Sequence, residues 1–283
     1  MLIQLNNVTK NFVVNEIFSN VKLEINDKDR VAIVGRNGAG KSTVLNMIAR
    51  RIEKTSGDIT LDGVDLHKTP RAMHQVYLSS TENWFPKEYK FKDLLSIYKK
   101  TYPEFDSDFA EDLIKVFGVN VKERFSKAST GYQSIMKIIL ALCNPSEYIF
   151  MDEPVLGLDA NHRHIFNKKL LEAYARNPRT FVIATHLIEE VASILEKVIV
   201  IKDGVVTEEV LVEDVLRKGY VVSGASTLVQ EYVADKKVLE TDQIGNFTRS
   251  VVIGAIGEAQ PGLEFSPLTL QDYFISITRK ENE

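Results

Sequence analysis

The sequence predicts an α/β fold in which helices surround a mostly parallel sheet. Three uninterrupted apolar runs, at 30–34, 148–151 and 180–184, have the composition of strands that are buried on both faces. Segments with helical periodicity lie between and after these runs, and strands that alternate with helices are typical of a parallel sheet. A glycine-rich turn directly follows the first run. In such sheets, ligands bind where the strands end, so this turn is the first place to look for a site.

Other elements follow in order along the first 217 residues. A helix is predicted from about Lys41, and the stretch 83–142 is mostly helical by periodicity, with Asp106 placed to cap one of its helices. Lys202, Asp203 and Gly204 form a turn that is typical of a hairpin. Further strands are predicted at 2–5, 21–25, 59–61, 198–201 and 205–206.

The composition changes near Gly219, and we therefore divide the chain into domains at 1–217 and 218–283. The second domain combines predicted strands at 220–222, near 238 and at 251–253 with helices at 228–234 and from about 269. The last helix opens with Thr269 and has Asp272 three residues later, which is a capping-box pattern. The pattern predicts a small α+β appendage.

Composition excludes several kinds of protein. The 283 residues carry 35 basic and 39 acidic side chains, a net charge of −4, which argues against a polybasic surface for nucleic acid. Cys143 is the only cysteine, so neither an intrachain disulfide nor a four-cysteine zinc site can form. The opening segment 1–7 turns polar too soon for a secretory signal, and no apolar stretch approaches the roughly 20 residues that cross a bilayer. We expect a soluble intracellular protein that reaches a membrane only through a partner.

The glycine-rich turn matches a phosphate-binding motif. Residues 35–42 fit G-x-x-x-x-G-K-[ST], in which glycines let the backbone wrap around phosphate oxygens and helix amides point at the anion. Lys41 is expected to neutralise the β and γ phosphates, and the Ser42 hydroxyl to ligate Mg²⁺. The motif lies between a buried strand and a helix, which is the context that it requires.

Two adjacent carboxylates follow a second buried strand. Asp152 and Glu153 come directly after the apolar run 148–151, at the end of the strand where ligands bind in open sheets. We expect Asp152 to hold Mg²⁺ through water and Glu153 to face the attacking water as a general base or a polarising acceptor. An acidic turn alone is common, but its pairing with the phosphate loop favours the functional interpretation.

Taken in order, these motifs resemble the nucleotide-binding subunit of ABC transporters. That family carries a phosphate loop, a glutamine loop, an LSGGQ-type signature, an Asp-Glu-Pro strand end, a D-loop and a switch histidine. The corresponding segments here are 35–43, the region near 80, 129–131, 152–154, 157–159 and 185–186. The resemblance covers about residues 1–217. It implies a P-loop NTPase with a RecA-like core and a helical subdomain at about 83–142.

The resemblance also implies roles for individual residues in ATP binding and hydrolysis. Phe12 is expected to stack on the adenine, and His186 to contact the γ phosphate next to the catalytic Glu153. Ser129 and Gly131 are expected to bind the nucleotide held by the opposite subunit. Asp159 is expected to link the two nucleotide sites. Together, motif and resemblance assign ATP contacts to Phe12, Gly35, Asn37, Gly38, Ala39, Gly40, Lys41, Ser42, Thr43, Ser129, Gly131 and Asp159, and Mg²⁺ contacts to Ser42, Ser80 and Asp152.

Three motifs depart from the family pattern: the glutamine loop, the signature and the phosphate loop. Ser80 stands in the glutamine slot, where its shorter side chain puts direct contact with the metal in question unless Glu82 or water takes that place. The signature, at 128–132, lacks its first glycine and has Tyr132 in place of the final glutamine, and Arg36 replaces the usual proline of the phosphate loop. We therefore expect firm ATP binding and slow turnover.

The implied function is an ATPase subunit that works with a separate transmembrane permease and a second nucleotide-binding subunit, identical or different. The altered signature and the C-terminal extension resemble exporters of the ABC-2 type, so export of a peptide, drug or other amphipathic substrate is expected, from a peripheral position on the cytoplasmic face of the membrane. The alternatives are a soluble ABC-type ATPase and a non-hydrolysing regulatory subunit.

Trp84, the only tryptophan, is either an anchor for the membrane subunit or a core contact of the helical subdomain.

Overall fold

The computed structural model describes residues 1–12, 15–258 and 260–278, with the side chains of 15 and 16 left out. These residues form two compact units. The first comprises Met1–Leu195 and Ile199–Glu208, and the second Glu196–Val198 and Glu209–Glu283. The division thus follows Glu208, about nine residues before the boundary that composition indicates, because the last residues of one strand and a short helix belong with the second unit.

The central sheet of the first unit has the predicted mostly parallel character. Its order is β10-β9-β3-β8-β7-β6, and the pairs β3–β8, β8–β7 and β7–β6 are parallel. The strands are β3 (Arg30–Val34), β6 (Val76–Ser79), β7 (Tyr148–Asp152), β8 (Thr180–Thr185), β9 (Lys197–Lys202) and β10 (Val205–Leu211). All residues of β7 and β8 are buried, which explains the apolar runs at 148–151 and 181–184 within them.

A second sheet of the first unit, in the order β2-β1-β4-β5, is antiparallel. Its strands are β1 (Leu2–Phe12), β2 (Asn15–Asn26), β4 (Ser56–Leu61) and β5 (Val64–Asp65). The first two are much longer than the predicted runs at 2–5 and 21–25. Their outer residues are polar and exposed on one face, so backbone pairing rather than apolar composition extends them.

One apolar core lies between the two sheets of the first unit. It joins buried residues of the antiparallel sheet, such as Ile3 and Leu23, with Val31 and Tyr148 of the parallel sheet and with Leu45 of the first helix. Because that helix begins at the glycine-rich turn, packing of the core fixes the position of the turn relative to the strand ends.

The helices of the first unit agree with the periodicity. They are α1 (Lys41–Ile48), α2 (Pro70–Met73), α3 (Phe91–Thr101), α4 (Ser107–Val116), α5 (Thr130–Leu142) and α6 (Ala160–Arg176), with 3₁₀ turns at Phe125–Lys127 and Ile188–Ile194. Asp106 caps α4 as predicted, since its carboxylate accepts a hydrogen bond from Phe109 N at 2.9 Å. Helices α3, α4 and α5 occupy the stretch predicted to be helical.

The second unit is an α+β structure. Its sheet has the order β12-β13-β11-β14 and is antiparallel throughout. The elements are α7 (Val212–Arg217), β11 (Gly219–Ala225), α8 (Ser226–Val233), β12 (Lys237–Ile244), β13 (Phe247–Ile253), β14 (Leu263–Pro267) and α9 (Leu270–Thr278). Tyr220, Val222, Val229, Tyr232 and Val252 form its own apolar cluster. Thr269 Oγ1 accepts a hydrogen bond from Asp272 N at 3.1 Å at the start of α9.

Two further side chains bear on the sequence interpretation. Cys143 is buried, and burial raises the pKa of its thiol, as fits a small apolar core residue. His67 is only 8% exposed, and its Nε2 lies 2.8 Å from the Met47 carbonyl oxygen. Among the helices of the described residues, none combines the length and apolar character needed to span a membrane.

Candidate nucleotide-binding site

The glycine-rich turn connects β3 to α1 and has a backbone that only glycine fits well. Gly38 and Gly40 have φ values of +84° and +103°, in the region that favours glycine. A Cβ on Gly40 would lie 2.2 Å from the Phe18 ring. Within the described residues, no side chain caps α1, so amides of its first turn remain available to an anion. The turn therefore has the geometry of a phosphate-binding loop.

Lys41 bends back across this loop. Its Nζ donates to the Gly35 carbonyl at 2.8 Å and to the Arg36 carbonyl at 3.3 Å, and it lies 3.9 Å from Glu153 Oε1. The side chain is only 6% exposed. Burial lowers the pKa of Lys41, and the negative charges of Glu153 and Asp152 oppose that shift. The two sequence motifs, far apart in the chain, therefore meet at this ammonium group.

Asp152 ends β7 beside the start of α1. The Ser42 side chain lies near its carboxylate, and Thr81 Oγ1 lies 3.5 Å from Oδ2. Burial raises the pKa of Asp152, and the nearby Ser42 hydroxyl acts against this. Among the described residues, Asp152 Oδ1 is a buried oxygen without a hydrogen-bond partner. A buried carboxylate oxygen next to a hydroxyl is a donor set that suits Mg²⁺.

Glu153 is held in a strained backbone conformation. Its φ is +49°, which is uncommon for a residue with a side chain, and its N–H donates to the Ala184 carbonyl at 2.8 Å. This conformation turns the carboxylate toward the end of β8. There Oε2 accepts from Thr185 Oγ1 at 2.9 Å, and Oε1 accepts from His186 N at 3.1 Å and lies 2.8 Å from His186 Nδ1.

The structure thus brings the two predicted catalytic side chains into direct contact. His186 and Glu153 share a hydrogen bond rather than lying apart on either side of a phosphate. The contact also orients the carboxylate, since both of its oxygens are engaged by the end of β8. The roles of Glu153 toward water and of His186 toward phosphate stay predictions.

Ser80, in the glutamine slot, is turned toward its own segment. It is only 7% exposed, and its Oγ accepts a hydrogen bond from Glu82 N at 3.1 Å. Its neighbour Thr81, which the sequence analysis did not single out, is the residue of this segment whose side chain approaches Asp152. The predicted metal contact of Ser80 stays a prediction, and Thr81 is the nearer hydroxyl to the Asp152 carboxylate.

Lys137 is a second residue that sequence reasoning missed. Its Nζ donates to the carbonyl oxygens of Ser80, Thr81 and Glu82 at 2.8, 2.9 and 3.3 Å. Burial, reinforced by the positive charge of Arg51, lowers its pKa to about 8, with Asp152 opposing. A signal was present in the sequence, because Lys137 is the one charged residue in the apolar run of α5.

A cavity of about 170 Å³ lies where these groups meet. It opens between the end of β7, the segment after β6 and one face of α5. Its lining residues include Ser80, Thr81, Gln133, Lys137, Asp152 and Glu153. The lining thus combines two carboxylates, a lysine ammonium and several hydroxyl groups, so part of the cavity wall is polar.

The signature segment starts α5. Ser129 is the N-cap, and its Oγ accepts from Tyr132 N at 3.3 Å. The Tyr132 hydroxyl, in the place of the family's glutamine, accepts a hydrogen bond from Asn120 N and lies 3.4 Å from the Gly118 carbonyl. Tyr132 is therefore engaged within the helical region, while Ser129 itself is exposed.

The other predicted nucleotide contacts occupy separate places. Asp159 is the exposed N-cap of α6, and its carboxylate accepts from His162 N at 2.8 Å and lies 2.9 Å from His162 Nδ1. These bonds lower the pKa of Asp159. Phe12, at the end of β1, is 46% exposed, with Lys10 Nζ 4.4 Å from its ring centroid. Its ring is free to offer a face to a planar ligand.

Gly131 packs against the loop that contains Gly157. A Cβ built on Gly131 would lie 2.3 Å from the Gly157 carbonyl oxygen, so Gly131→Ala must displace one of the two segments. We expect a lower Tm and a loss of ATP-dependent pairing of subunits, measured by thermal unfolding and by size-exclusion chromatography with ATP. Gly257→Ala is the matched control, since its Cβ would meet only the Tyr232 hydroxyl at 3.4 Å. Equal Tm and pairing for the two variants would contradict the prediction.

Comparison with known proteins agrees with this geometry. The family described as ABC transporter matches residues 18–156. The ABC transporter ATP-binding protein YtrB of Bacillus subtilis is 27% identical, over 87% of this chain and 85% of its own. NatA of the same organism, also an ABC transporter ATP-binding protein, is 32% identical over 65% of this chain and 77% of its own.

Two other proteins bear on direction and assembly. PotA of Aliivibrio fischeri, a spermidine/putrescine import ATP-binding protein, is 29% identical over 74% of this chain and 57% of its own. A solved dimeric structure of a bacterial ABC transporter cassette has a TM-score of 0.65 and 23% identity, and it covers 74% of this chain and 98% of that one. This likeness establishes the P-loop NTPase fold. With the family match and the NatA similarity, it follows that the chain is an ATPase that belongs to the ATP-binding proteins of ABC transporters.

Proposed function

We propose that the chain binds Mg²⁺ and ATP in the loop of Lys41 and hydrolyses ATP to power export through a separate membrane subunit. The observation that supports the site assignment is the 3.9 Å distance between Lys41 Nζ and Glu153 Oε1, with the Ser42 side chain near the adjacent Asp152 carboxylate. In this arrangement the phosphate-binding cation, a candidate metal site and a candidate base lie within one polar region.

The residues fit the Mg²⁺ that the family implies. Ser42 and Asp152 would hold the ion, because hard oxygen ligands suit it and Asp152 Oδ1 is buried without a partner in the described part of the chain. When bound, Mg²⁺ supplies positive charge that neutralises phosphate oxygens. Lys41 would bind phosphate oxygens as well.

Glu153 is the residue best placed to take a proton from water. Its two carboxylate oxygens are hydrogen-bonded to Thr185 and His186, so the orientation of the carboxylate is already fixed. His186 is held through Nδ1 against the Glu153 carboxylate, and its other ring nitrogen would contact a phosphate oxygen when that nitrogen also carries a proton. In this proposal the base and the histidine act as a preassembled pair.

We infer that the working unit is a dimer of nucleotide-binding subunits. Ser129 and Asp159 are exposed helix caps outside the loop of Lys41, and a second subunit would use them to complete each nucleotide site. The dimeric form of the related cassette supports this proposal. If the two subunits differ, the signature of this chain, which is altered at Tyr132, would leave one of the two nucleotide sites less active.

The direction of transport rests on the second unit. The similarity to YtrB spans 87% of this chain, so it extends into the region after 217, and the resemblance of that region to ABC-2-type subunits supports export. PotA, an import protein, favours the opposite direction. ATP-driven uptake into inside-out membrane vesicles by the purified complex would support export, and ATP-driven loss from preloaded ones would support import.

Trp84 supports docking to a membrane subunit. It is 71% exposed, which overturns the alternative that it is a core contact of the helical subdomain. A large exposed aromatic residue is a common anchor of protein interfaces. We place it in the contact with the permease, and the protein at the cytoplasmic face of the membrane.

We expect Trp84→Ala to lower the amount of chain that co-purifies with detergent-solubilised host membranes by about 10-fold, in line with the loss of an interface anchor. ATP affinity should not change. The measurement is quantitative co-purification with a polytopic membrane protein, with Tyr174→Ala as a control on α6. Recovery of the wild-type chain alone from the soluble fraction would instead favour the soluble ABC-type ATPase.

The remaining candidate is a non-hydrolysing regulatory subunit, and the membership of the chain in an ATPase family argues against it. The feature that favours it is Ser80, whose Oγ accepts a hydrogen bond from Glu82 N. Multiple turnovers of ATP by the purified chain, measured as released phosphate per protein, would dismiss this candidate. Binding without turnover would support it.

A further inference from the structure

We propose that Lys137 is a positioning residue that holds the segment after β6 in place beside the Asp152 carboxylate, an inference that rests on the proposed ATP site. Three consecutive carbonyl oxygens, of Ser80, Thr81 and Glu82, converge on its ammonium group. A lysine ammonium has three N–H donors, so this contact uses all of them. All N–H donors of the Lys137 side chain therefore bind the backbone of this one segment.

The segment needs such a restraint. Between the end of β6 at Ser79 and the start of α3 at Phe91, the described backbone forms neither helix nor strand. Its carbonyl groups are therefore not paired by regular secondary structure. An apolar side chain at position 137, like those of its neighbours Ile138 and Ile139, would leave three carbonyls without their partner.

The restraint reaches the site through Thr81. Its carbonyl oxygen accepts from Lys137 Nζ at 2.9 Å, while its side-chain Oγ1 lies 3.5 Å from Asp152 Oδ2. Both ends of one residue are thus connected, one to the lysine and the other to the carboxylate. The position of the Thr81 hydroxyl follows from the position of its backbone, which Lys137 sets.

Helix α5 makes Lys137 part of a larger contact surface. On the same helix, Gln133 Oε1 accepts from Asn83 Nδ2 at 2.7 Å, and Ser134 Oγ donates to the Leu156 carbonyl at 3.0 Å. One face of α5 therefore holds both the segment after β6 and the loop after Glu153. The signature serine, Ser129, is the N-cap of α5, and a shift of this helix would move both segments together.

The test uses Trp84, the only tryptophan, which lies two residues beyond Glu82. Its fluorescence anisotropy decay reports motion of the segment whether or not the protein hydrolyses ATP. For Lys137→Met, we expect the amplitude of fast local motion to rise about twofold, since the tether to three carbonyls is lost. Lys168→Met, at an exposed position on α6, is the matched control and should resemble the wild type.

Kinetics provide the second measurement on the same full-length variants. We expect Lys137→Met to lower kcat by about 10- to 100-fold with a change of less than about threefold in KM for ATP, because misplacement of a positioning group affects the reacting geometry more than binding. The Mg²⁺ concentration for half-maximal rate should rise. Lys137→Arg keeps a cationic donor and should recover part of kcat and of the restrained anisotropy.

The outcomes separate the possible roles. A lower Tm for Lys137→Met with unchanged Trp84 anisotropy and unchanged kcat would mean a purely structural lysine and would overturn the proposal. If Lys137→Met does not fold, Lys137→Arg and Lys137→Gln carry the test, and equal anisotropy for all three proteins overturns it. If the wild type does not hydrolyse ATP, the proposed function fails, while the anisotropy change still shows whether Lys137 holds the segment.

Discussion

Glu153→Gln is expected to reduce the rate of ATP hydrolysis by about 100-fold or more, the usual contribution of a general base. Glutamine has the same shape but cannot accept a proton from water. It can still accept from His186 at one position and pair with Thr185 at the other, so the fold of the site should persist. ATP affinity should stay within a few-fold of the wild type. The measurements are phosphate release under saturating ATP and equilibrium binding of a fluorescent ATP analogue.

The matched control for this variant is Glu147→Gln. Glu147 is an exposed residue that directly precedes β7, at the opposite end of the strand from Glu153. Its neutralisation changes the net charge of the chain by the same amount without touching the site. Hydrolysis by Glu153→Gln at the rate of Glu147→Gln would remove Glu153 from its assigned role. Loss of ATP binding together with hydrolysis would show instead that the substitution damages the phosphate loop.

Lys41→Met is expected to weaken ATP binding by about 2–4 kcal/mol, the range for removing one partner of a buried charge pair. This corresponds to a rise in Kd of about 30- to 1,000-fold. Methionine keeps much of the aliphatic volume of this 6% exposed side chain, so the loop should keep its packing. Hydrolysis at micromolar ATP should be lost. Calorimetric titration with ATP and Mg²⁺ measures the change in affinity.

Two features make the Lys41 experiment decisive. Lys10→Met removes a different ammonium, 4.4 Å from the Phe12 ring centroid and outside the loop, and it should leave phosphate binding nearly intact. The Tm of Lys41→Met without nucleotide should fall by a few degrees at most, because the variant loses the hydrogen bonds to the Gly35 and Arg36 carbonyls but no longer buries a charged ammonium. An unchanged Kd for ATP would refute the assignment of Lys41 to the phosphates.

The fold was predictable wherever the environment of an element is uniform. Strands β7 and β8 are buried on both faces. Most of their residues are therefore apolar, and the sequence alone predicts both strands. The extent of β1 and β2 was not predictable in this way. Their outer portions alternate with exposed polar residues, and only pairing with each other, which is non-local, defines them.

The site was predictable where a motif fixes both spacing and chemistry. The loop of Lys41 and the pair Asp152 and Glu153 carry their own sequence context, and the structure brings them together. Thr81 and Lys137 lie outside any such motif. Their contacts depend on how α5 packs beside the segment after β6, which is set by tertiary structure and not by local spacing.

The burial of the sole thiol has a practical consequence for the study of this chain. Cys143 is buried with a raised pKa, so a thiol-directed reagent at neutral pH should leave it unmodified. A cysteine introduced at an exposed position can therefore be labelled selectively without first removing the native one. Paired spin labels at such a position would give the separation between two copies of the chain as a distance distribution, with the apolar core of α5 left in its native composition.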